Sequence, residues 1–245
     1  DEERLIYKFK DRGGRDVALR YDLTVPLARY VATYNPPLPF RRYQVGQVFR
    51  GENPQRGRWR EFTQLDFDSV GSSDSSEDAK VIAVIIKCLR QLGLEDALVL
   101  INDRENFAQF PAEVARAIDK LNKIGESGVV DELKNSGMSG EAAERMVKKV
   151  KSTGSTESLQ KIFNLLTENY SLEEGKDFVF DPTLARGLDY YTGAIFEAKM
   201  NLDPNSLSIG AGGRYDKLIG MFSKKSIPAV GFSFGLDRLI ELTSI

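Results

Sequence analysis

Apolar and polar residues alternate with a period of two in several segments of the first half of the chain, which predicts half-buried β-strands. A hairpin is predicted over residues 5–23, with its turn at 12–15, where two glycines lie between two arginines. Two longer strands are predicted over 39–50 and 58–71, joined by a connector rich in Gly, Asn and Pro. The segment 97–103, which is apolar as far as Ile101, predicts a short buried strand.

The apolar period changes to that of a helix in two segments between these strands. A helix is predicted over residues 24–34 and a longer one over 75–93. In the longer helix, Ser75 and Asp78 have the spacing of a capping box at the start, and Gly93 marks the end.

Residues 108–170 differ from the rest of the chain, because their pattern is helical and strand signals are absent. Amphipathic helices are predicted here, separated by Gly or Ser. The sequence therefore predicts a helical insertion of about 60 residues, near the lower limit for an independently packed unit. The insertion divides a core into a first part, residues 1–107, and a second part, residues 171–245.

Strand patterns return after the insertion, over residues 177–183, 190–200 and 207–215. The chain closes with a strand, a glycine turn and a helix over 229–242. This order predicts an α+β fold: an antiparallel sheet flanked by helices, with the small helical domain inserted into it.

The composition excludes several kinds of chemistry. The chain has 245 residues and no histidine, so no His side chain can act as a base or a metal ligand. The single cysteine, Cys88, excludes an intrachain disulfide and a multi-cysteine zinc site, and its apolar neighbours predict a small buried hydrophobic residue. Lys and Arg number 34 against 36 Asp and Glu, a net charge of −2, which excludes a uniformly basic surface but not a local basic face.

Targeting and membrane signals are absent from the sequence. The longest apolar run, VIAVII, is far shorter than the ~20 residues of a membrane span. The first residues, DEERLIYKF, form no signal peptide and lack an initiator Met. We therefore expect a cytoplasmic protein without a membrane segment, and we expect this chain to be part of a longer one.

The segment 48–68 carries the most informative side chains. Arg50 ends one predicted strand, and a period of two places polar and aromatic residues on one face of the next: Arg58, Arg60, Phe62, Gln64, Asp66 and Asp68. Such a face suits a ligand with an anionic part and a cationic or hydrogen-bonding part. The alternative is an Arg–Asp ladder on a solvated sheet, which stabilises little.

A second candidate is RGLDYYTG, in which Arg186 precedes Gly187 and then Tyr190 and Tyr191. An Arg beside Gly can bring its guanidinium close to a bound phosphate or carboxylate. The paired tyrosines offer flat walls with a polar tip. The alternative is a structural Arg186 paired with Asp189, next to two core tyrosines.

Three weaker motifs add candidates. In GAGGRY, Gly212 and Gly213 allow the backbone to approach a planar ligand, although the ending of a phosphate-binding P-loop is missing. In GFSFGLDRL, Arg238 lies on a helix after a strand, where an ordinary surface role is the alternative. In LRYDLTVP, the side chains of Asp22 and Thr24 either cap a helix or bind an ammonium group.

These five motifs, in this order, resemble the catalytic domain of class II aminoacyl-tRNA synthetases, and specifically the histidyl-tRNA synthetase family. FRGENPQRGRWREFTQLDFD resembles the family's motif 2 and GFSFGLDRL its motif 3. RGLDYYTG and GGRYDKL resemble its two histidine-specific signatures, and LRYDLTVP a variant of its amino-acid-binding turn. The family's motif 1 would precede the first hairpin, and its anticodon-binding domain would follow the last helix, both outside this sequence.

The resemblance implies a role for each matching residue. Arg50 and Arg186 would be catalytic, on opposite sides of the ATP α-phosphate. The implied histidine-binding residues are Asp22, Leu23, Thr24, Arg50, Gln64, Asp68, Arg186, Tyr190, Tyr191, Gly212, Gly213 and Tyr215. The implied ATP-binding residues are Arg50, Glu52, Arg58, Phe62 and Arg238, with Phe62 stacking on adenine. Mg²⁺ would accompany the phosphates, and its protein ligands are not assigned.

The resemblance also implies an activity: ATP-dependent formation of histidyl-adenylate and transfer of histidine to its tRNA, by a homodimer in the intact protein. One alternative is a non-catalytic synthetase-like regulatory domain that binds histidine or tRNA. Another is a generic ATP-binding structural domain, which would require a solvated arginine face. Lys148, Lys149 and Lys151 either touch the tRNA acceptor stem or complement the dipole of the helix they end.

Overall fold

The computed structural model describes residues 2–54, 57–186, 190–203, 206 and 208–243, without the side chains of the first two. In chain order, the helices and strands are β1 (Lys8–Lys10), β2 (Asp16–Ala18), α1 (Thr24–Tyr34), β3 (Phe40–Phe49), β4 (Glu61–Val70), α2 (Ser75–Gln91), β5 (Leu98–Asp103), α3 (Ala112–Ile118), α4 (Leu121–Asn135), α5 (Gly140–Lys151), α6 (Glu157–Tyr170), β6 (Phe178–Phe180), β7 (Ala194–Lys199), β8 (Ser208–Arg214), β9 (Ala229–Gly235) and α7 (Leu236–Leu242).

Within the described ranges, a seven-stranded sheet has the order β3-β4-β9-β8-β7-β5-β6, and β1 and β2 form a separate hairpin. Neighbouring strands of the large sheet are antiparallel, except that β5 and β6 are parallel. The exception arises because the chain passes from β5 to β6 through helices, and only such a crossover can join parallel neighbours. The predicted α+β fold is confirmed, with a mixed rather than purely antiparallel sheet.

One face of the sheet is apolar and is covered by α2 and α6. Leu65 and Phe67 of β4 pack there with Phe232 and Phe234 of β9. Because side chains of a strand alternate between faces, the polar residues between them point to the opposite face. The sheet therefore buries its apolar face under helices and keeps its polar face for a cleft.

The inserted helices belong to two different hydrophobic clusters. Helices α3, α4 and α5 enclose their own cluster, which includes Val114, Leu133 and Val147. Helix α6 instead packs on α2 and the sheet, through Leu159 and Phe163. The packing thus joins α6 to the core, although the sequence pattern grouped it with the insertion over residues 108–170.

Helix boundaries inside the insertion also differ from the prediction. The sequence pattern predicted one helix over 111–125 and another over 127–137. The structure instead ends α3 at Ile118 and runs α4 across a break at Gly125, whose φ is +68°. A positive φ suits glycine, which has no Cβ to clash with its own backbone.

The start of α2 corrects another prediction. Its N-cap is Asp74, whose carboxylate accepts a hydrogen bond from the Ser76 amide at 2.8 Å, so the capping box at Ser75 and Asp78 is wrong. The Asp78 carboxylate is buried and instead pairs with the Arg214 guanidinium. The predicted end of the helix is confirmed, because Gly93 follows it with φ +78°.

The thiol of Cys88 is partly buried against the apolar cluster that α2 and α6 form with the sheet, and burial raises the pKa of the thiol. Among the described residues, no helix combines the length and apolar character that crossing a membrane requires.

Candidate active site

The polar face of the sheet forms the floor of a cleft with a volume of about 660 Å³. Strands β4, β7, β8 and β9, the start of α7 and the segment between α3 and α4 bound it. Most of the predicted site residues line this cleft: Asp22, Thr24, Arg50, Glu52, Arg58, Phe62, Gln64, Asp68, Arg186, Tyr190, Tyr191, Gly212, Tyr215 and Arg238. Motifs that are far apart in the sequence therefore meet at one place.

Leu23 and Gly213 do not line the cleft, which corrects their place in the predicted histidine-binding set. Leu23 is completely buried and packs against Gly46 of β3. Gly213 lies behind the wall, where a Cβ would come within 2.9 Å of the Tyr191 ring. The absence of a side chain at Gly213 leaves room for the tyrosine that does line the cleft.

One end of the cleft, which we call the acidic end, holds the buried carboxylates of Asp22, Asp66 and Asp68. Asp22 accepts a hydrogen bond of 2.9 Å from a backbone amide in the first turn of α1, so it both supports the helix and faces the cleft. Asp68 accepts one of 2.6 Å from the Tyr215 hydroxyl and pairs with the Arg42 guanidinium at 3.0 Å. The helix-supporting role of Asp22 is therefore observed, and its binding of an ammonium group stays a prediction.

Glycines make room for these carboxylates. A Cβ on Gly231 of β9 would overlap the Asp68 carboxylate. A Cβ on Gly212 of β8 would overlap the backbone carbonyl of Gly231. A side chain on Gly231 would therefore displace Asp68, and one on Gly212 would push the two adjacent strands apart.

Burial raises the pKa of all three carboxyl groups at the acidic end. At Asp66 burial acts together with the negative charge of Asp68 and raises the pKa to about 7. At Asp68 burial raises the pKa to about 6, although Arg42 and the hydrogen bond from Tyr215 oppose it. The pKa of Asp22 is also raised by burial, against the effect of its backbone hydrogen bonds and Arg50. These directions mean that a bound ammonium or N–H donor would stabilise the charged forms.

Three tyrosines wall the acidic end. The ring centre of Tyr190 lies 4.9 Å from that of Tyr191 and 6.1 Å from that of Tyr215. The Tyr190 hydroxyl is hydrogen-bonded to Thr24 and Tyr191. Burial holds the pKa of Tyr190 well above its usual value and raises that of Tyr191 to about 12. The tyrosines are therefore neutral and offer flat apolar faces with hydroxyl tips.

The other end of the cleft, which we call the cationic end, holds Arg50, Arg58 and Arg238, whose charges act on one another. Arg238 donates to the backbone carbonyls of Gly57 at 2.8 Å and Ser208 at 2.7 Å. Burial and the nearby Arg58 and Arg50 lower the pKa of Arg238 from its usual value. Mutual repulsion among these guanidiniums would be relieved by a bound anion.

Arg50 is fixed by neutral groups. Its Nε donates to the Tyr21 carbonyl at 3.2 Å, and its guanidinium carbon lies 4.4 Å from the centre of the Tyr21 ring and 5.1 Å from that of Phe62. Carbonyls and rings orient a guanidinium without cancelling its charge. The positive charge of Arg50 thus remains available to an anionic ligand.

Arg186 lines the same cleft, where its Nη1 lies 3.9 Å from the Glu197 carboxylate. Its charge opposes the rise of the pKa values of Tyr191 and Asp119. Its buried Nε has no hydrogen-bond partner among the residues that the structure describes. Gly187 and the alternative partner Asp189 lie outside the described residues.

The strand that carries motif 2 begins later than predicted, at Glu61. The Arg60 carbonyl accepts a hydrogen bond of 2.8 Å from the backbone that ends β3, which closes the connector before β4 starts. The Arg60 side chain donates to the Glu52 carbonyl and does not line the cleft, whereas Trp59, predicted on the opposite face, does. The predicted alternation therefore holds from Phe62 onward, and before Phe62 it holds for Arg58 but fails for Trp59 and Arg60.

Comparison with known proteins identifies the family. The family model described as "Histidyl-tRNA synthetase" matches residues 1–124 and 111–239. The chain belongs to the histidyl-tRNA synthetase family. A histidine–tRNA ligase of Aeropyrum pernix is 42% identical over 266 residues, which cover 98% of this chain and 61% of the relative. One of Treponema denticola is 39% identical, covering 98% and 60%. The chain thus spans about three fifths of these curated relatives.

Solved structures agree with this family. A histidyl-tRNA synthetase from Nostoc sp. PCC 7120 has a TM-score of 0.75 and 30% identity, covering 97% of this chain and 62% of the other. A Bacillus halodurans protein, described as an ATP phosphoribosyltransferase regulatory subunit/histidyl-tRNA synthetase, has a TM-score of 0.77 and 26% identity, covering 99% and 69%.

The histidyl-tRNA synthetase family and the geometry together bear on the alternatives. Gln64, Asp66 and Asp68 are buried, so this part of the strand face is not a solvated ladder, whereas Arg58 and Arg60 are exposed. Curated relatives named histidine–tRNA ligase do not favour the regulatory domain.

Sequence reasoning about the site missed four cleft residues of this synthetase-family chain, Trp59, Asp119, Glu197 and Lys199, and gave no role to Asp66, which it placed on the ligand face. Asp66 has the same strand parity as Gln64 and Asp68, so its signal was present in the sequence. Glu197 and Lys199 alternate on β7, but parity alone does not say which face is polar. Asp119 follows α3, and only tertiary packing brings it to the cleft.

Proposed function

We propose that this chain carries the catalytic domain of a histidine–tRNA ligase, which activates histidine with ATP and transfers it to tRNA. The observation that supports this most is the polarity of the cleft. Histidine carries an ammonium group and a ring with an N–H, which match the acidic end, whereas ATP and the carboxylate of histidine match the cationic end.

Activation needs charge stabilisation more than proton transfer. A carboxylate oxygen of histidine attacks the α-phosphorus of ATP, an anhydride bond forms, and the bond to the β-phosphate oxygen breaks to release pyrophosphate. Negative charge grows on the α-phosphoryl oxygens during this step. Arg50 and Arg186 would supply fixed positive charge there. This step needs no His side chain from the protein, and the given chain has none.

The amino-acid substrate would lie along the floor of the cleft. Asp22, Thr24 and Gln64 would hold its ammonium group, and Asp68, farther along β4, would orient the substrate. The tyrosine walls would enclose the imidazole ring, Gly213 leaves room for the Tyr191 ring, and Gly212 would close the pocket from β8.

ATP would occupy the cationic end. Glu52 would accept a hydrogen bond from the adenine amino group, and Phe62 would stack on the ring. Arg58 and Arg238 would reach the β- and γ-phosphates. The Arg58 guanidinium now pairs with Glu52 at 3.0 Å and is 48% exposed, so it can turn toward a phosphate at small cost.

Mg²⁺ would enter with the phosphates. Among the described residues, no group of three or more potential ligands is built for a metal. Two carboxylates, those of Glu52 and Glu197, nevertheless stand at the cationic end, and oxygen ligands of this kind suit Mg²⁺. Bound there, the ion would neutralise charge on the pyrophosphate.

The transfer step would use tRNA as the acceptor: its terminal ribose hydroxyl attacks the histidyl carbonyl and AMP leaves. Lys151 pairs with Glu126, and the Lys149 ammonium lies 5.2 Å from the ring centre of Phe110. These contacts favour a structural role for the lysines that end α5.

We place the proposed activity in the cytoplasm, with protein synthesis.

We also propose a homodimer. The exposed apolar side chains of the edge strand β3 support it, since Tyr43 is 79% and Val45 is 53% exposed. Sedimentation of the protein should show twice the monomer mass, and Tyr43→Arg should shift it toward the monomer. A monomer at micromolar concentration would contradict this proposal.

Histidine-dependent exchange of pyrophosphate into ATP tests the proposed activity. The wild-type protein should catalyse exchange only when histidine is present, and Arg186→Ala should reduce kcat/KM by about 10² to 10³. Arg145→Ala is the matched control, because Arg145 is exposed on α5 and only pairs within its helix. Absence of exchange, or exchange that survives Arg186→Ala, would overturn the assignment.

A further inference from the structure

Asp66 is the one carboxylate of the acidic end to which no role has been given above. It is only 2% exposed, and it lines the cleft from the middle of β4, between Gln64 and Asp68. Its Oδ1 is buried and has no hydrogen-bond partner among the residues that the structure describes. A carboxylate oxygen left in this state destabilises the fold, because it has lost water without gaining a donor.

The Ser233 hydroxyl on β9 lies close enough to Asp66 to oppose the rise of its pKa, but neither this hydroxyl nor Oδ1 has a hydrogen-bond partner within the described part of the chain. Across the sheet, Asp66 is level with Gln44 on β3 and with Ser233 on β9. Arg42, the cation that enters the acidic end from β3, is paired with Asp68 at 3.0 Å. Burying a carboxylate without a dedicated cation costs stability, and a ligand that brings an N–H donor would offset that cost.

The position of Asp66 along the strand indicates which part of a ligand it meets. Alternate residues of a strand are about 6.6 Å apart. From the cationic to the acidic end, β4 therefore presents at this spacing Phe62, Gln64, Asp66 and Asp68. The carboxylate of bound histidine would face the arginines, and its ammonium would lie near Gln64. The side chain therefore extends over Asp66, toward Tyr191.

We propose that Asp66 is a specificity-determining residue, whose free Oδ1 hydrogen-bonds with a ring nitrogen of the histidine substrate. This inference rests on the proposed function. A neutral imidazole presents one N–H donor and one acceptor nitrogen, and a carboxyl group can pair with either, as a carboxylate or as an acid. An amino acid whose ring lacks these nitrogens would leave Asp66 buried and unpaired, which is how a polar pocket rejects a near-isosteric competitor.

Two variants of Asp66, each measured with two substrates, test whether Asp66 contacts the ring of histidine or has another role. Asp66→Ala should raise the KM for histidine by about tenfold or more, with the KM for ATP little changed. Asp66→Asn should raise it less, since the amide keeps the size and an acceptor. Asp16→Asn is the matched control, because Asp16 pairs only with Lys10 on the exposed hairpin. Thermal melting should show that all three proteins are folded.

The second substrate is β-(1,2,4-triazol-3-yl)-L-alanine, which keeps the ammonium and carboxylate of histidine and changes only the ring. If Asp66 contacts the ring, Asp66→Asn should change the ratio of kcat/KM for histidine over the triazole. If that ratio stays constant, or if the KM for histidine is unchanged, the inference is wrong. Absence of histidine-dependent exchange by the wild-type protein would instead refute the proposed function itself.

Discussion

The acidic and cationic ends of the cleft differ in the groups that surround their charged side chains. At the acidic end, carboxylates are buried, closely spaced and opposed by few cations, so burial and mutual repulsion raise their pKa values. At the cationic end, guanidiniums are oriented mainly by backbone carbonyls and aromatic rings, as Arg50 and Arg238 show. The buried carboxylates of the acidic end therefore destabilise the unliganded protein, and a ligand with matching donors would offset that cost. The guanidiniums of the cationic end are already oriented to bind an anion.

This difference separates recognition from catalysis. A buried, under-compensated carboxylate discriminates strongly, because a ligand without the matching donor leaves it unpaired. A guanidinium fixed by neutral partners accelerates a reaction, because it needs no reorganisation when charge develops. Damage at the acidic end should therefore appear mainly in the KM for histidine, and damage at the cationic end mainly in kcat.

The largest effect is expected at the cationic end. Arg50→Ala should lower kcat for histidine-dependent exchange by about 10² to 10³, with a smaller change in the KM for histidine. The measurement is steady-state exchange at saturating ATP, with Arg145→Ala as the control. A variant that lost affinity for histidine but kept kcat would reverse the roles given to the two ends.

Crowding the acidic end should follow in size. In Gly231→Ala the new methyl group would overlap the Asp68 carboxylate, so we expect a loss of about 1–3 kcal/mol in unfolding free energy and a higher KM for histidine. Urea unfolding and exchange kinetics measure both. Gly154→Ala is the matched control, because a Cβ at Gly154 meets no atom within 4 Å. Equal effects of the two substitutions would contradict the close packing at Gly231.

The pH dependence of the unfolding free energy tests whether the buried, ionised carboxylate of Asp66 destabilises the fold. Its pKa is about 7 when folded against 3.8 ordinarily, so the folded state binds the proton more tightly. The stabilisation is complete at low pH and is lost as pH rises through about 7. The unfolding free energy of the wild type minus that of Asp66→Asn should therefore fall by about 1 kcal/mol or more between pH 5 and pH 7, and then level off. A difference that is constant with pH would show that Asp66 titrates normally.

The smallest effect is expected from Tyr215→Phe, which removes the donor to Asp68 while keeping the ring. The KM for histidine should rise by about two- to tenfold, because one hydrogen bond to a charged acceptor is lost. Exchange kinetics at varied histidine measure it, and Tyr34→Phe, at an exposed ring on α1, is the control. An unchanged KM would mean that the Asp68–Tyr215 bond does not shape the pocket.

The sequence pattern located most of the strands, because strand parity and turn residues are local signals. It also placed Arg50 and Arg186 among the candidate ligand-binding residues, and the family resemblance implied the catalytic role proposed for them. It did not separate Asp66 from Asp68, since both have the same parity and only burial and partners distinguish them. It grouped α6 with the insertion, because an amphipathic helix does not show which surface it covers. Leu23 lies between two cleft residues, and the motif alone did not reveal that its side chain turns into the interior.

The most direct test is a crystal structure of the protein with histidine and a non-hydrolysable ATP analogue. We predict the α-phosphate between the guanidiniums of Arg50 and Arg186, within about 3 Å of both, as charge-assisted hydrogen bonds require. The ammonium of histidine should face Asp22, and its ring should lie over Asp66 toward Tyr191. A phosphate that touches only one of the two arginines, or a histidine bound with its carboxylate at the acidic end, would contradict the polarity on which the proposed function rests.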